Sequence, residues 1–469
     1  VLLLYYQIYG LPVTRVSAGI GVALIVDAIA HPIVGQLSDM WRSKWGRRHP
    51  FMYASALPVA GAVWALLNPP QGWSPQNLFL YMMACLLVAR IALAMFEIPN
   101  SSLLPEIEPN YNDRTRILSY RYFMGVFAPL VVTVFGYSVI FKPFVDAEGD
   151  HMPGQLNPAS YPVFGTILAC IIFVSIMVSA LGTHGEVKYM RPQTKTAGIG
   201  ELLKVVGTTL FNRNFLALTM SGIVFSIGTG IISSISPLLN TFFWELSAQQ
   251  LAVLSGFGLI APFAATVLGP MLAKWLGKKR AVLANFYAAV IIGVVPISLR
   301  LLGLLPPNGH PIILPILVAD SVLSGTLGIM GFIIVSSMMA DIVEQLQVKT
   351  GKRSEGLLFS ADAFLKQVVS GFGAMGSGLV LAAVAFPAKA VPGHVPEEIL
   401  TKMALFYLPI SAITSLISIS IISFYTISRE DHERNLQSIG DAAATGEESI
   451  ESGEMELPAK PVPIGQSGL

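Results

Sequence analysis

Apolar stretches of about 20 residues, parted by short polar loops, recur along the whole chain. With Gly, Pro and polar clusters as punctuation, hydropathy places them at 1–10, 16–37, 51–67, 78–103, 119–141, 160–182, 213–240, 248–273, 281–303, 312–338, 357–385 and 401–427. A spanning helix needs about 20 mostly apolar residues, so the pattern predicts twelve membrane-spanning helices. Runs such as VFGTILACIIFVSIMVSALG at 163–182 lack the alternation of a transmembrane strand, which excludes a β-barrel. The first stretch, VLLLYYQIYGL, rises only about 16 Å as a helix, about half of a 30 Å hydrocarbon core. No initiator Met precedes it, so the chain is expected to begin part-way through helix 1.

Composition supports the same class. Of 469 residues 53% are apolar and 12% charged, whereas soluble domains carry about 25% charged residues. A formal charge of +1 offers no basic field for nucleic acid, which is excluded as a partner. Cys85 and Cys170 lie inside apolar runs and read as packing residues, not as a disulfide framework or metal site. The sequence holds no Walker loop, zinc-spaced His/Glu set or nucleophile elbow, so neither ATP-driven pumping, hydrolysis nor a cofactor is expected.

Of 29 Lys and Arg, 22 fall on one set of alternate loops, which the positive-inside rule makes cytoplasmic. Twelve spans then leave both termini inside, in a plasma or inner membrane. The polar stretch 183–212 reads as a cytoplasmic linker between six-helix bundles at 1–182 and 213–428. Residues 429–469, rich in Glu, Ser, Gly and Pro, read as a disordered cytoplasmic tail. The bundles repeat a basic turn, GQLSDMWRSKWGRRHPF at 35–51 and GPMLAKWLGKKRAVL at 269–283, as expected of a parallel duplication.

Those turns resemble the loop signature of the major facilitator superfamily, in which Gly, an acid and a Gly-Arg-Arg cluster latch helix ends on the cytoplasmic side. Here the positions are Gly35, Asp39, Gly46, Arg47 and Arg48, and the second copy has no acid matching Asp39 near Lys274. Three further groups occur in order over almost the whole chain: VDAIAHPIVGQLSD with WGRRHPF, MFEIPNSSLLPEI with DRTRILSYRYF, and ADIVEQLQVKTGKRSEGLLFSADAFLKQ. They are similar to the glycoside-pentoside-hexuronide:cation symporter family. The resemblance implies an all-α major facilitator fold of two six-helix bundles that rock about a midplane site, carrying a solute with a coupling cation. Vertebrate sodium-dependent lysophosphatidylcholine carriers belong to the same broad family, so membership leaves the substrate open.

A charge at the bilayer centre costs several kcal/mol unless paired or hydrated, so intramembrane ionisable residues are functional candidates. Asp27 and His31 lie four apart on one helix face, just before Pro32. In the resembled family, Asp at both positions helps bind the cation. His31 in place of the second acid removes an oxygen ligand, and an imidazole, with an ordinary pKa of about 6.5, suits proton exchange; the alternative is that it only neutralises Asp27. Glu97 aligns with the Asp of the family's Asp-Ile-Pro segment, which serves sugar and cation. Arg90, two turns earlier, is expected to partner Glu97. Arg121 matches a family Arg near the sugar, with interfacial snorkelling as the alternative.

Lys366 aligns with the family's helix 11 Lys, which the resemblance ties to substrate binding and the charge network around the site, and Asp362, one turn before it, is expected as its neutralising partner. Asp320 carries no implied role, and whether it faces the cavity stays open. The glycines 371, 373, 376 and 378 read as a close-packing stripe. Tyr5, Tyr6 and Tyr9 fit interface packing before sugar stacking, and the loop 142–159 fits a solvated loop before a metal or substrate gate. Together these residues point to a monomeric, cation-coupled carrier of a small polar solute such as a glycoside, the proton favoured over sodium. A lysolipid carrier, or a non-transporting sensor or scaffold, is the alternative. A drug exporter is disfavoured because GVFAPLVVTVFG in helix 5 lacks the Gly-Pro-x-x-Gly-Gly pattern of resembled antiporters.

Overall fold

The computed structural model describes residues 1–107, 111–146, 148–185, 187, 212–350 and 355–427, with 430, 431, 433, 434, 437 and 438 beyond them. Its helices are α1 (Leu3–Ile8, a π-helical turn), α2 (Val13–Met40), α3 (His49–Leu67), α4 (Pro75–Ile107), α5 (Tyr111–Phe135) and α6 (Ser160–His184). The second six are α7 (Arg213–Leu238), α8 (in two pieces, Ala248–Phe257 and Ile260–Leu276), α9 (Lys278–Leu301), α10 (Ile313–Thr350), α11 (Glu355–Ala383) and α12 (Glu397–Ile422). The eleven from α2 onward are long and apolar enough to cross a membrane. Large apolar side chains stand exposed along them, Leu57 at 72% and Leu379 at 68%. That arrangement fits a lipid solvent, in which apolar surface carries no hydration penalty and backbone groups must be satisfied within each helix.

Each expected stretch corresponds to one helix. α10 continues to Thr350, past the expected end at 338, because ADIVEQLQVKT is polar yet made largely of residues compatible with a helix. α8 is interrupted at Gly258, and its first piece is held by a capping box between Ser247 and Gln250. Asn212 caps α7 by accepting from the amides of Asn214 and Phe215. The loop after α5 forms a small antiparallel hairpin, β1 (Phe144–Val145) with β2 (His151–Met152). Asp146 Oδ1 accepts from the amides of Glu148 and Asp150 within it, so that acid is occupied by its own turn. Among the described residues no cluster fit for a metal occurs. Cys85 is buried as expected, but Cys170 is exposed, because it falls on the outward face of α6. The linker positions 188–211 and the tail positions 439–469 lie outside the described residues.

Within the first half, α2 packs on α4, and α3 on α4 and α6; within the second, α7 packs on α11 and α12, and α9 on α10 and α12. The halves meet chiefly along α2–α11 and α5–α8. Among the described residues one apolar cluster draws on both halves, from Leu4, Tyr5 and Tyr161 to Phe242, Phe386 and Met403. It lies at the membrane end away from the basic turns. Tyr5 and Tyr6 belong to it, their hydroxyls donating to the carbonyls of Leu66 and Phe386. Gln7 and Gln155 stitch the same end: Gln7 to Pro387 O and the Ala390 amide, Gln155 to Thr241 and Leu246 O. The remaining apolar clusters belong to one half each. The halves are therefore closed together at one end, and toward the basic face each keeps its own core.

Glycine makes the α2–α11–α7 contact possible. A Cβ on Gly371 would stand 2.8 Å from Gly21 O, and one on Gly373 2.5 Å from Ile227 O. α11 is thus wedged at backbone distance between a helix of each half. Gly371→Val should destabilise the protein by about 1–3 kcal/mol through overpacking, read as a lowered thermal midpoint in detergent. Gly182→Val, where the added carbon meets nothing within 4 Å, should leave it unchanged.

Candidate substrate and cation site

The site grows from α2 and α4, whose packing brings four ionisable side chains together inside the membrane. Asp27 is 4% exposed. Its Oδ2 accepts from Arg90 Nη1 of α4 at 3.5 Å and from Gln367 Nε2 of α11 at 3.1 Å. Its Oδ1 lies 3.8 Å from His31 Nε2, one turn along α2. The same nitrogen lies 3.8 Å from Glu97 Oε2. Neither separation is a hydrogen bond, and His31 Nε2 is a buried atom without a hydrogen-bond partner. A ring nitrogen is therefore poised midway between two carboxylates, and a shift of about 1 Å brings either into bonding range.

Arg90 corrects the expectation that it partners Glu97: it donates to Asp27. The reason is desolvation. The Asp27 side chain is 6% exposed and that of Glu97 is 50%, so an uncompensated charge costs more at Asp27 and the cation turns there. Glu97 projects into the more open space beside His31. One turn further on α4, Ser101 accepts a 2.7 Å bond from Arg121 Nη2, tying α5 to the Glu97 segment. Arg121 reaches the site through this serine.

Lys366 and Asp362 form the expected one-turn pair, 2.6 Å apart, with Thr219 of α7 donating to the other carboxylate oxygen at 3.1 Å. The lysine stem lies against Gly222, where a Cβ would come within 2.0 Å of its Cε. This pair faces α7 within the second half, whereas the adjacent Gln367 faces Asp27. Asp320, on α10, accepts from Ser324 of its own helix at 3.4 Å and is not joined to the Asp27 group by any described bond.

At the basic face, Asp39 pairs with Arg48 Nη2 at 3.4 Å across the α2–α3 turn, and Arg47 is also engaged. Gly46 there adopts φ +79, where a side chain would be strained and would meet Val187. Gly35 lies against Ile98 of α4. The second copy finds its acid elsewhere: Lys278, at the start of α9, pairs at 2.6 Å with Asp341 of α10, which also accepts from Tyr425. Asp341 was legible in the internal repeat, since SSLLPEI at 101–107 and SSMMADI at 336–342 hold corresponding places. Gln367, Thr219 and Ser101 carried no signal, because neutral polar residues in an apolar helix do not announce their partners.

Two six-helix halves of mostly spanning helices, closed together at one end and holding ionisable groups inside the membrane, define a membrane transporter of the major facilitator fold. The chain belongs to the MFS/sugar transport protein family, whose model matches residues 1–429; it is a transporter and not an enzyme. It is 23% identical to an uncharacterised symporter of Synechocystis over 91% of this chain and 90% of that one. It is 24% identical to the isoprimeverose transporter of Lactiplantibacillus pentosus, over 81% of this chain and 74% of that one. Its fold matches the xylose transporter XylE of E. coli in a partially occluded inward-open conformation, with a TM-score of 0.56 at 13% identity, over 91% of this chain and 93% of that one.

Breaking the Lys366–Asp362 pair on one side leaves a partly buried charge alone. Asp362→Asn should lower stability by about 1–3 kcal/mol, and adding Lys366→Met should recover at least half of it, measured by thermal unfolding. An additive double variant would show that the two charges do not depend on each other.

Proposed function

We propose that the protein is a cation-coupled symporter that carries a small sugar or glycoside by alternating access, with the proton as coupling ion. The observation that carries this reading is His31 Nε2, buried, unbonded and 3.8 Å from a carboxylate oxygen on either side. A proton on that imidazole, or on either acid, changes the charge of the group by one at no cost in ligand geometry. A hard metal cation needs several oxygens around it. Here Asp27 is faced by the Arg90 guanidinium and an imidazole, both poor neighbours for a second cation. The family's sugar-transport description and the isoprimeverose relative support a saccharide as cargo, with Glu97, Arg121 and the Asp27 group as its polar contacts.

In this reading the bundles are 1–182 and 213–428, joined by the linker 183–212 and followed by the tail 429–469. The basic turns lie on the cytoplasmic side, both termini are inside, and the protein works as a monomer. The observed state then opens to the cytoplasm, because the shared apolar cluster and the Gln7 and Gln155 bonds close the opposite end. Asp39–Arg48 and Lys278–Asp341 fix helix ends at the opening face.

In proteoliposomes, uptake of radiolabelled isoprimeverose or xylose should rise at least about tenfold under an inward proton gradient and ignore sodium. Asp27→Asn should abolish accumulation while leaving the folded yield unchanged. Sodium-stimulated uptake at fixed pH and potential, surviving His31→Ala, would overturn the proton assignment. Orientation has its own check: Glu148→Cys should react with an impermeant maleimide in intact cells, and Lys44→Cys only after permeabilisation.

A further inference from the structure

Gln367 is the one described side chain that carries a hydrogen bond from the second half onto the buried acid group of the first. It sits one turn before Gly371 on the face of α11 that meets α2, where Gly371 approaches Gly21 O and Gly378 approaches Ser17. That stripe runs from Gln367 toward the closed end of the molecule. Beyond Gln367, toward the basic face, the apolar clusters belong to one half each. The amide therefore stands at the vertex where the halves part, and its partner is the carboxylate on which the coupling ion is proposed to act.

We infer that Gln367 is a positioning residue that lets the second half sense the charge state of Asp27. On the proton reading above, the sensing works through hydrogen-bond strength. A bond to an ionised carboxylate is roughly twice as strong as one to a neutral acid. With Asp27 ionised, the Gln367 donor and the Arg90 guanidinium share Oδ2 and hold α11 against α2 at the vertex. A proton on the acid weakens both bonds and leaves only the glycine contacts, so the halves are freed to rock toward closure of the basic face. The groups facing Asp27 are His31 on α2, Arg90 and, through His31, Glu97 on α4, and Gln367 on α11; Lys366 and Asp362 are turned toward α7 and satisfy each other. Gln367 is thus the polar group from the second half that registers the change.

The test needs no substrate. Spin labels on Lys44→Cys and Lys274→Cys, in a background with Cys85 and Cys170 replaced by Ala, report the distance between the halves at the basic face of the full chain in nanodiscs. The wild-type distance should shorten as pH falls. Gln367→Met keeps the shape of the side chain and removes the donor; it should raise the midpoint of that change by about one pH unit, a tenfold shift. Gln367→Glu should move it the same way, which keeps the test open if one variant fails to fold. Asp27→Asn should abolish the pH response. A wild-type distance independent of pH would overturn the proton reading and the sensor with it. A normal response in wild type, lost in Asp27→Asn but with an unmoved midpoint in both Gln367 variants, would overturn the sensor alone.

Discussion

One buried carboxylate ties the two halves together at the centre of the membrane. Asp27 is almost wholly out of solvent inside α2, where an unpaired charge costs several kcal/mol. Its oxygens are met by a guanidinium from α4, an imidazole from its own helix and an amide from α11. Those partners come from both halves, so the condition for keeping the charge is also a condition on how the halves sit. A rearrangement that parts α11 from α2 removes a hydrogen bond that the acid needs. A proton that neutralises the acid removes the need.

Packing supplies the geometry for this. α11 lies at backbone distance from α2 on one side and α7 on the other, because glycines at 371, 373 and 378 leave no side chain between them. In lipid there is no hydrophobic drive to hold helices together, so such close contact and a few polar bonds set their association. The lysine that resemblance ties to the binding site is retained but turned aside, matched by Asp362 and Thr219 within its own half. The neutral neighbour Gln367 takes the cross-half contact, and His31 stands where the resemblance leads one to expect a second acid.

Much of this was legible in the residues. Every spanning helix was marked by its apolar run, and the acids and bases inside those runs were few enough that Asp27, His31, Arg90 and Glu97 stood out. Their partners were less legible. Spacing on one helix suggested Arg90 with Glu97, but the deciding quantity is the burial of Asp27, which depends on α11 packing over it. The Lys366–Asp362 pair was readable because both members share a helix face. Gln367 was not, because an amide has no charge to mark it, and its role follows only from the register that the glycine stripe imposes. The end of α10 was misjudged because hydropathy tracks the membrane and not the helix, which continues past it.

In the proposed cycle a proton taken up at Asp27 loosens the Gln367 contact between the halves. Infrared difference spectroscopy across a pH titration, in nanodiscs without sodium, tests this directly through the carbonyl stretch of a protonated carboxylic acid. Such a band should grow as pH falls, be missing in Asp27→Asn, and shift in frequency in Gln367→Met. A band unchanged in Asp27→Asn, or one that responds to sodium at constant pH, would contradict that cycle.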